Sequence, residues 1–168
     1  MGPMTHVRQA VPADVPTVMR MKRALMDLDG LASLPTVDMR QWLIDLFGSE
    51  PRYSVVVAEK GNAVVGMAIY SGKCVAGYAE PIAHLQDLFV DEAHRRQGIG
   101  SRILQLVAAD ARERGMSMIE LNVRANNPAR EFYRRIGFEH LSQCLTYVVS
   151  GSTLIELADF ASKLAVAG

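Results

Sequence analysis

The sequence predicts an α/β protein, a mixed β-sheet with helices packed against it. Three observations carry that class. Residues 53–59 and 63–70 are apolar, β-branched runs on either side of Lys60-Gly61-Asn62, which reads as a hairpin. Residues 99–114 place Ile99, Ile103, Leu104, Val107 and Ala111 at helical spacing behind a glycine-punctuated loop. A second alternating run, Met118-Ile-Glu-Leu-Asn-Val123, follows that helix, so strands and helices alternate along the chain.

The remaining elements follow in order. Residues 5–11 alternate as a first strand, and Pro12-Ala-Asp14 opens a helix to about Met26, with Val15, Val18, Met19 and Leu25 as apolar positions. Residues 27–36 form a loop, and a second helix covers 37–47 and stops at Gly48. Residues 71–81 are a polar, glycine-containing loop before a central strand at 83–90. After the strand at 117–124 come a helix at 127–136, strands near 138–142 and 144–149, and a last amphipathic helix at 153–165 behind Gly151-Ser152. No repeat or linker interrupts the chain, so residues 1–168 read as one domain.

Composition narrows the function. With 18 basic and 18 acidic residues, the formal net charge is zero, which argues against nucleic acid as a partner. No apolar run approaches the ~20 residues that span a bilayer, and the N-terminus has no signal-type apolar core, so the expected location is the cytoplasm, with no membrane partner. Cys74 and Cys144 are too few for a disulfide framework or a zinc site, and His6, His84, His94 and His140 are scattered, so no metal is expected.

The chemistry concentrates in Asp87-Leu-Phe-Val-Asp-Glu-Ala-His-Arg-Arg-Gln-Gly-Ile-Gly-Ser101. An apolar strand leads through a polar turn into a loop that opens a helix. Gly98 and Gly100 lack Cβ atoms, so the backbone there can lie close to a ligand. The first amides of the next helix have no intrahelical acceptor and sit at the positive end of its dipole, which makes an anion site. Arg95 and Arg96 add charge beside it. The expected ligand is a phosphate or pyrophosphate. A Walker loop is excluded because no Lys follows either glycine, and a dinucleotide loop because Ile103 stands where its third glycine belongs.

Arg95-x-x-Gly98-x-Gly100 behind Leu88-Phe89-Val90 resembles the acyl-CoA pyrophosphate loop of the GNAT superfamily of N-acetyltransferases. A second segment, Asn126-Asn-Pro-Ala-Arg-Glu-Phe-Tyr133-Arg-Arg-Ile-Gly137-Phe138, is similar to the closing motif of that superfamily, and the two occur in its order. The resemblance covers about residues 53–138. It implies a mostly antiparallel, mixed sheet of six to seven strands, splayed between the fourth and fifth where the acyl-pantetheine arm enters. It implies acetyl-CoA as co-substrate, with the loop Arg95, Arg96, Gln97, Gly98, Ile99, Gly100 and Ser101 on the pyrophosphate. It further implies that the backbone of Phe89 and Val90 pairs with the pantetheine as an added strand, and that Asn126 touches the cofactor. From the residues alone, Asn126 or Asn127 is equally a helix cap, with Pro128 in the first turn.

Acetylating an amine requires a proton to leave the amine, an oxyanion to be stabilised and the departing thiolate to be protonated. A thiol titrates at about 8.5 and a phenol at about 10, so a tyrosine can serve as the acid. Tyr133 matches the motif position that the resemblance places near the acyl sulfur, while Phe132 beside it is expected to bury with Ile136 and Phe138. His84 and Gln86, two apart on the central strand, are expected to share a face and Asp87 to point the other way as a structural residue. By resemblance His84 matches a position that carries a Glu or His base in some members, acting directly or through water, and Gln86 is suited to orienting substrate or water.

The layout is also similar to diamine (spermidine/spermine) acetyltransferases, although those enzymes carry Glu where this chain has Gln86. Asp27, Asp29, Asp38 and Glu80 either line a cationic pocket or are solvated loop acids. Three functions fit: an N-acetyltransferase of a small amine, one acting on a protein N-terminus or lysine, and a non-catalytic acyl-CoA-binding module. A homodimer is expected from the resemblance and from apolar Leu145-Thr-Tyr-Val-Val149 at a late position in the sheet.

Overall fold

The computed structural model describes residues 4–166, with side chains described to residue 158. Residues 1–3 and 167–168, the ends of the span read as one domain, lie outside the described residues. The chain separates into two compact units, Met1–Asn127 and Pro128–Gly168.

Among the described residues, the first unit holds five strands and three α-helices. β1 (Thr5–Gln9) leads through a 3-10 turn at Pro12–Asp14 into α1 (Val15–Leu28), then α2 (Met39–Phe47), β2 (Ser54–Lys60), β3 (Ala63–Lys73), β4 (Ile82–Val90), α3 (Ile99–Glu113) and β5 (Ile119–Leu121). The sheet runs β1-β2-β3-β4-β5, antiparallel except for the parallel pair β4–β5. The α/β class and the mixed, mostly antiparallel sheet agree with the sequence reading.

Local signals explain the element ends. Asp38 caps α2 by accepting from the Gln41 amide at 2.9 Å. Gly48 closes α2 because a Cβ there would lie 2.6 Å from the Ile44 carbonyl oxygen. Gly61 turns the β2–β3 hairpin at φ +64. α3 buries Ile99, Ile103, Leu104, Val107 and Ala111, the stripe its spacing predicts.

The sheet is covered on both faces. On one, Val15, Val18 and Met21 of α1 and Leu46 of α2 pack with Val55, Val57, Met67, Ile69 and Phe89. On the other lies α3, whose Ile103 comes so close that a Cβ on Gly66 would meet it at 3.1 Å. There the buried Tyr70 hydroxyl donates to Asp110 at 2.6 Å, and burial, with Asp110 second, pushes the Tyr70 phenol up to about 12.

The second unit holds α4 (Ala129–Ile136) and α5 (Gly151–Val166). The strands expected at 138–142 and 144–149 do not form, so five strands stand where six to seven are expected among the described residues. Residues 139–149 are exposed and hold no ladder bonds. Their β-branched and aromatic composition favours strands only where a partner strand completes the hydrogen bonds. The expected burial of Phe132, Ile136 and Phe138 is also revised. Ile136 is exposed, and Tyr133 sits instead between Phe132 and Phe138, with ring centroids at 5.3 and 5.6 Å in edge contacts.

One polar anchor ties the N-terminal elements together. Buried Asp14 accepts from Arg8 through both carboxylate oxygens, at 2.6 and 3.0 Å, and from the Val11 amide at 2.8 Å. The Arg8 guanidinium is the main cause holding the Asp14 carboxyl below the usual carboxylate range. Because the folded-state pKa is depressed, this stabilisation is present above the unfolded value of about 3.9 and is lost as pH falls through the lower folded value. Asp14→Asn is expected to lower unfolding free energy at pH 7 by about 2 kcal/mol. Urea titrations from pH 7 to pH 2.5 should show the variant losing less stability on acidification than the wild type.

Candidate active site

β4 organises the site. It pairs with β3 along its length but with β5 only at Ala83↔Ile119, His84↔Glu120 and Leu85↔Leu121. The ladder ends at Leu85↔Leu121, where β5 itself ends. From Asp87 to Val90 the ladder partners of β4 are on β3.

A bulge aims the side chains at this point. Ile69 pairs with Asp87 and Tyr70 with Leu85, so Gln86 is an extra residue on β4. Ile69 and Ser71 share one face of the uninterrupted strand β3, and their partners across the ladder are Asp87 and His84. His84 and Asp87 therefore come to one face, that of α1. This corrects the expectation that Asp87 points away: strict alternation fails across a bulge. Gln86 joins the group, its amide donating to the Ser71 hydroxyl at 3.3 Å.

Two charged networks hold this face. His84 Nδ1 lies 3.1 Å from Glu120 Oε1, and the same oxygen accepts from Lys73 Nζ at 2.6 Å. The Lys73 ammonium first, then His84, hold the Glu120 carboxyl below the usual carboxylate range. An ionised carboxylate has no proton to give, so the contact is satisfied by Nδ1–H donating, and in the neutral ring Nε2 is then the nitrogen with the lone pair. The second network is Lys22 of α1, whose ammonium donates to both oxygens of buried Asp87 at 2.8 Å. Asp87 is thereby paired to α1 on the face it shares with His84. Glu120, Lys73 and Lys22 were not singled out by the sequence. Glu120 falls in an alternating strand, yet only the register across 36 residues sets it opposite His84.

The glycine loop lies at the other end of β4. Gly98 is the N-cap of α3 at φ 75, and a Cβ there would meet nothing within 4 Å. The first backbone helix bond runs from the Arg102 amide to the Gly98 carbonyl, so the amides of Ile99, Gly100 and Ser101 precede it. Arg96 is left-handed at φ 61, a conformation that costs a non-glycine residue roughly 1 kcal/mol. Arg96 and Gly98, both left-handed, flank Gln97 in this loop. Lys60 at the end of β2 reaches this loop, donating to Gln97 Oε1 at 2.9 Å, a cation the sequence reading did not include. Arg95 is partly committed elsewhere: its Nε donates to the Val90 carbonyl at 3.0 Å and its guanidinium lies 6.0 Å from the centre of the Phe89 ring. Phe89 itself is buried in the core, as expected.

These features fit an acyl-CoA: open space over a left-handed glycine, unbonded helix amides and cations for a pyrophosphate, and a strand edge for the amides of a pantetheine arm. The model of the acetyltransferase (GNAT) family matches residues 22–138.

The chain belongs to the GNAT acetyltransferase family.

Curated relatives agree. The chain is 29% identical over 166 residues to thialysine N-epsilon-acetyltransferase of Mus musculus, covering 92% of this chain and 97% of that one. It is 30% identical over 146 residues to the Bos taurus enzyme of the same name, covering 82% and 85%. Among solved structures, an aminoglycoside acetyltransferase from an uncultured soil metagenomic sample, in complex with sisomicin, superposes with a TM-score of 0.74 at 19% identity, over 88% of this chain and 96% of that chain. An aminoglycoside N-acetyltransferase in complex with CoA gives 0.71 at 16% identity, over 90% and 98%. These superpositions carry the fold. The chain is an N-acetyltransferase by its family, and the GNAT family uses acetyl-CoA.

The rest of the expected site divides between the units. Asn126 lies in a turn at the end of the first unit. Pro128 stands at the N-cap position of α4, directly behind Asn127. Tyr133 lies on α4 of the second unit.

Of the four acids weighed for a cationic pocket, Asp38 caps α2, Asp27 is exposed on α1 and Glu80 is exposed. No helix among the described residues is long and apolar enough to cross a membrane.

Proposed function

We propose that this GNAT enzyme transfers an acetyl group from acetyl-CoA to the primary amine of a small molecule by direct attack. The observation that carries the reading is His84, bonded to Glu120 across the β4–β5 ladder, on the strand that leads to the Gly98 loop. The names of the curated relatives support an amine on a small molecule as acceptor.

Acetyl-CoA supplies the activated acyl thioester. His84 Nε2 takes the proton from the attacking amine, directly or through a water oriented by Gln86. Glu120 and Lys73 fix the ring and its tautomer. The amides of Ile99, Gly100 and Ser101, with Arg96, Gln97, Gly98 and Lys60, hold the pyrophosphate. Phe89 and Val90 offer their backbone to the pantetheine amides, and the Arg95 bond to the Val90 carbonyl exchanges for one to the ligand. Asn126 and Tyr133 are assigned by the closing motif of the family, Asn126 on the cofactor and Tyr133 as the acid that protonates the departing thiolate.

The deciding experiment is free-thiol release with acetyl-CoA and a panel of amines. Acetyl-CoA at 100 times its dissociation constant is expected to stabilise the fold by about 2.7 kcal/mol, read as a rise in melting temperature. No rise with either acetyl-CoA or CoA would sink the cofactor assignment.

The reading includes a cytoplasmic location and a homodimer. The apolar run at 145–149 remains a candidate contact, since Leu145, Tyr147 and Val148 are exposed. Light scattering at tens of micromolar should give twice the chain mass; a strictly monomeric mass would count against the dimer.

A further inference from the structure

The charged cluster around His84 spans three strands and includes a cation close to the base. Lys73 pairs with Ile82 in the β3–β4 ladder, two residues before His84, and His84 pairs with Glu120 in the β4–β5 ladder. Lys73 and Ser71 are two apart on β3 and share the face that His84 occupies. The Lys73 side chain therefore crosses β4 to reach β5, where its ammonium donates to Glu120 Oε1 at 2.6 Å. His84 Nδ1 meets that same oxygen at 3.1 Å. One carboxylate oxygen thus faces two nitrogens, and the shorter contact belongs to the lysine.

A carboxylate beside a histidine base has two opposed effects. It orients the ring by accepting from Nδ1–H, and its charge favours the imidazolium. An imidazolium has no lone pair left to take a proton from an amine. We infer that Lys73 is a positioning residue that separates these effects: by sharing Glu120 Oε1 it lets the carboxylate orient His84 without drawing a second proton onto the ring. This deepens the proposed function and rests on it for the identity of the base, though not for the coupling itself. With the ring neutral, the trio Lys73, Glu120 and His84 carries no net charge. With the ring protonated, two cations meet at a single oxygen, inside the ~4–6 Å over which a neighbouring charge moves a titration. Without Lys73, protonation would instead complete a neutral ion pair with Glu120. The other charged groups on this face, Asp87 of β4 and Lys22 of α1, are tied to one another at 2.8 Å and add little net field. The side chains of Lys73, Glu120 and His84 are 51%, 33% and 25% exposed, so water screens the coupling and its size is modest.

The test is a histidine titration by NMR on the full chain without ligand, with His84 assigned among the four histidines by the loss of its signal in His84→Ala. In Lys73→Met the His84 resonance should titrate about 0.5 pH unit higher than in wild type, and in Lys73→Arg, which keeps the charge, at the wild-type position. The Lys73→Met shift should shrink in a Glu120→Gln background, because the lysine acts through that carboxylate. Activity gives a second readout. The ratio of kcat/KM in wild type to that in Lys73→Met, in which the titration of the amine cancels, should reach about threefold at low pH and return to one at high pH. If no amine is acetylated but the titration moves as stated, the coupling stands and the acetyltransferase reading falls. An unmoved titration, a shift in Lys73→Arg as large as in Lys73→Met, a shift undiminished by Glu120→Gln, or a moved titration beside a pH-independent rate ratio overturns the inference.

Discussion

His84→Ala is expected to lower turnover about 10²- to 10⁴-fold near neutral pH, the range that positioned proton transfer supplies. His84 stands opposite Glu120 in the parallel ladder, and the carboxylate, ionised and tied to Lys73, keeps the Nδ1–H tautomer. Nε2 is thus the basic nitrogen. The loss should shrink as pH rises, because more of the amine is then already deprotonated, and affinity for acetyl-CoA should hardly change. An unchanged pH–rate profile would rule out direct deprotonation and leave a water beside Gln86 as the base. Glu120→Gln serves as the positioning control. It removes the ionised acceptor without touching substrate, so it should lower turnover by less than His84→Ala and leave affinity for acetyl-CoA unchanged. Tyr133→Phe keeps the ring and its edge contacts with Phe132 and Phe138, and removes the hydroxyl alone. Turnover should fall with cofactor affinity intact. Near wild-type turnover, with chemistry shown to be rate-limiting, would mean that the thiolate leaves unassisted.

The largest stability effect should come from the ion pair beneath that site. Lys22→Met leaves the Asp87 carboxylate, whose side chain is 7% exposed, without its cation. Stranding a buried charge costs about 3 kcal/mol or more, and for a chain of this length each kcal/mol lowers the melting temperature by about 2–4 °C. A fall of roughly 10 °C is expected by calorimetry. Lys22→Met combined with Asp87→Leu should recover much of it, because the double variant strands no charge and two apolar side chains can pack in its place. A single variant within about 0.5 kcal/mol of wild type would mean that Asp87 finds other solvation and that the pair is incidental.

How much of this was readable beforehand depends on the range of the interaction. The α3 stripe, the hairpin at Gly61 and the left-handed Gly98 at a helix start all follow from neighbours within a few residues. Helical period, turn chemistry and backbone freedom act at that range, so the sequence by itself determined them, along with the family motif around the loop. The expected strands at 138–142 and 144–149 show the limit, since alternation records a preference and a strand needs a partner. Tertiary structure alone decided the rest. The bulge at Gln86 breaks a period of two and turns Asp87 onto the face of His84. The ladder register sets Glu120 against His84, and the packing of α1 on the sheet sets Lys22 against Asp87. Each of these joins residues dozens of positions apart, through a strand register or a helix docking that no local pattern encodes.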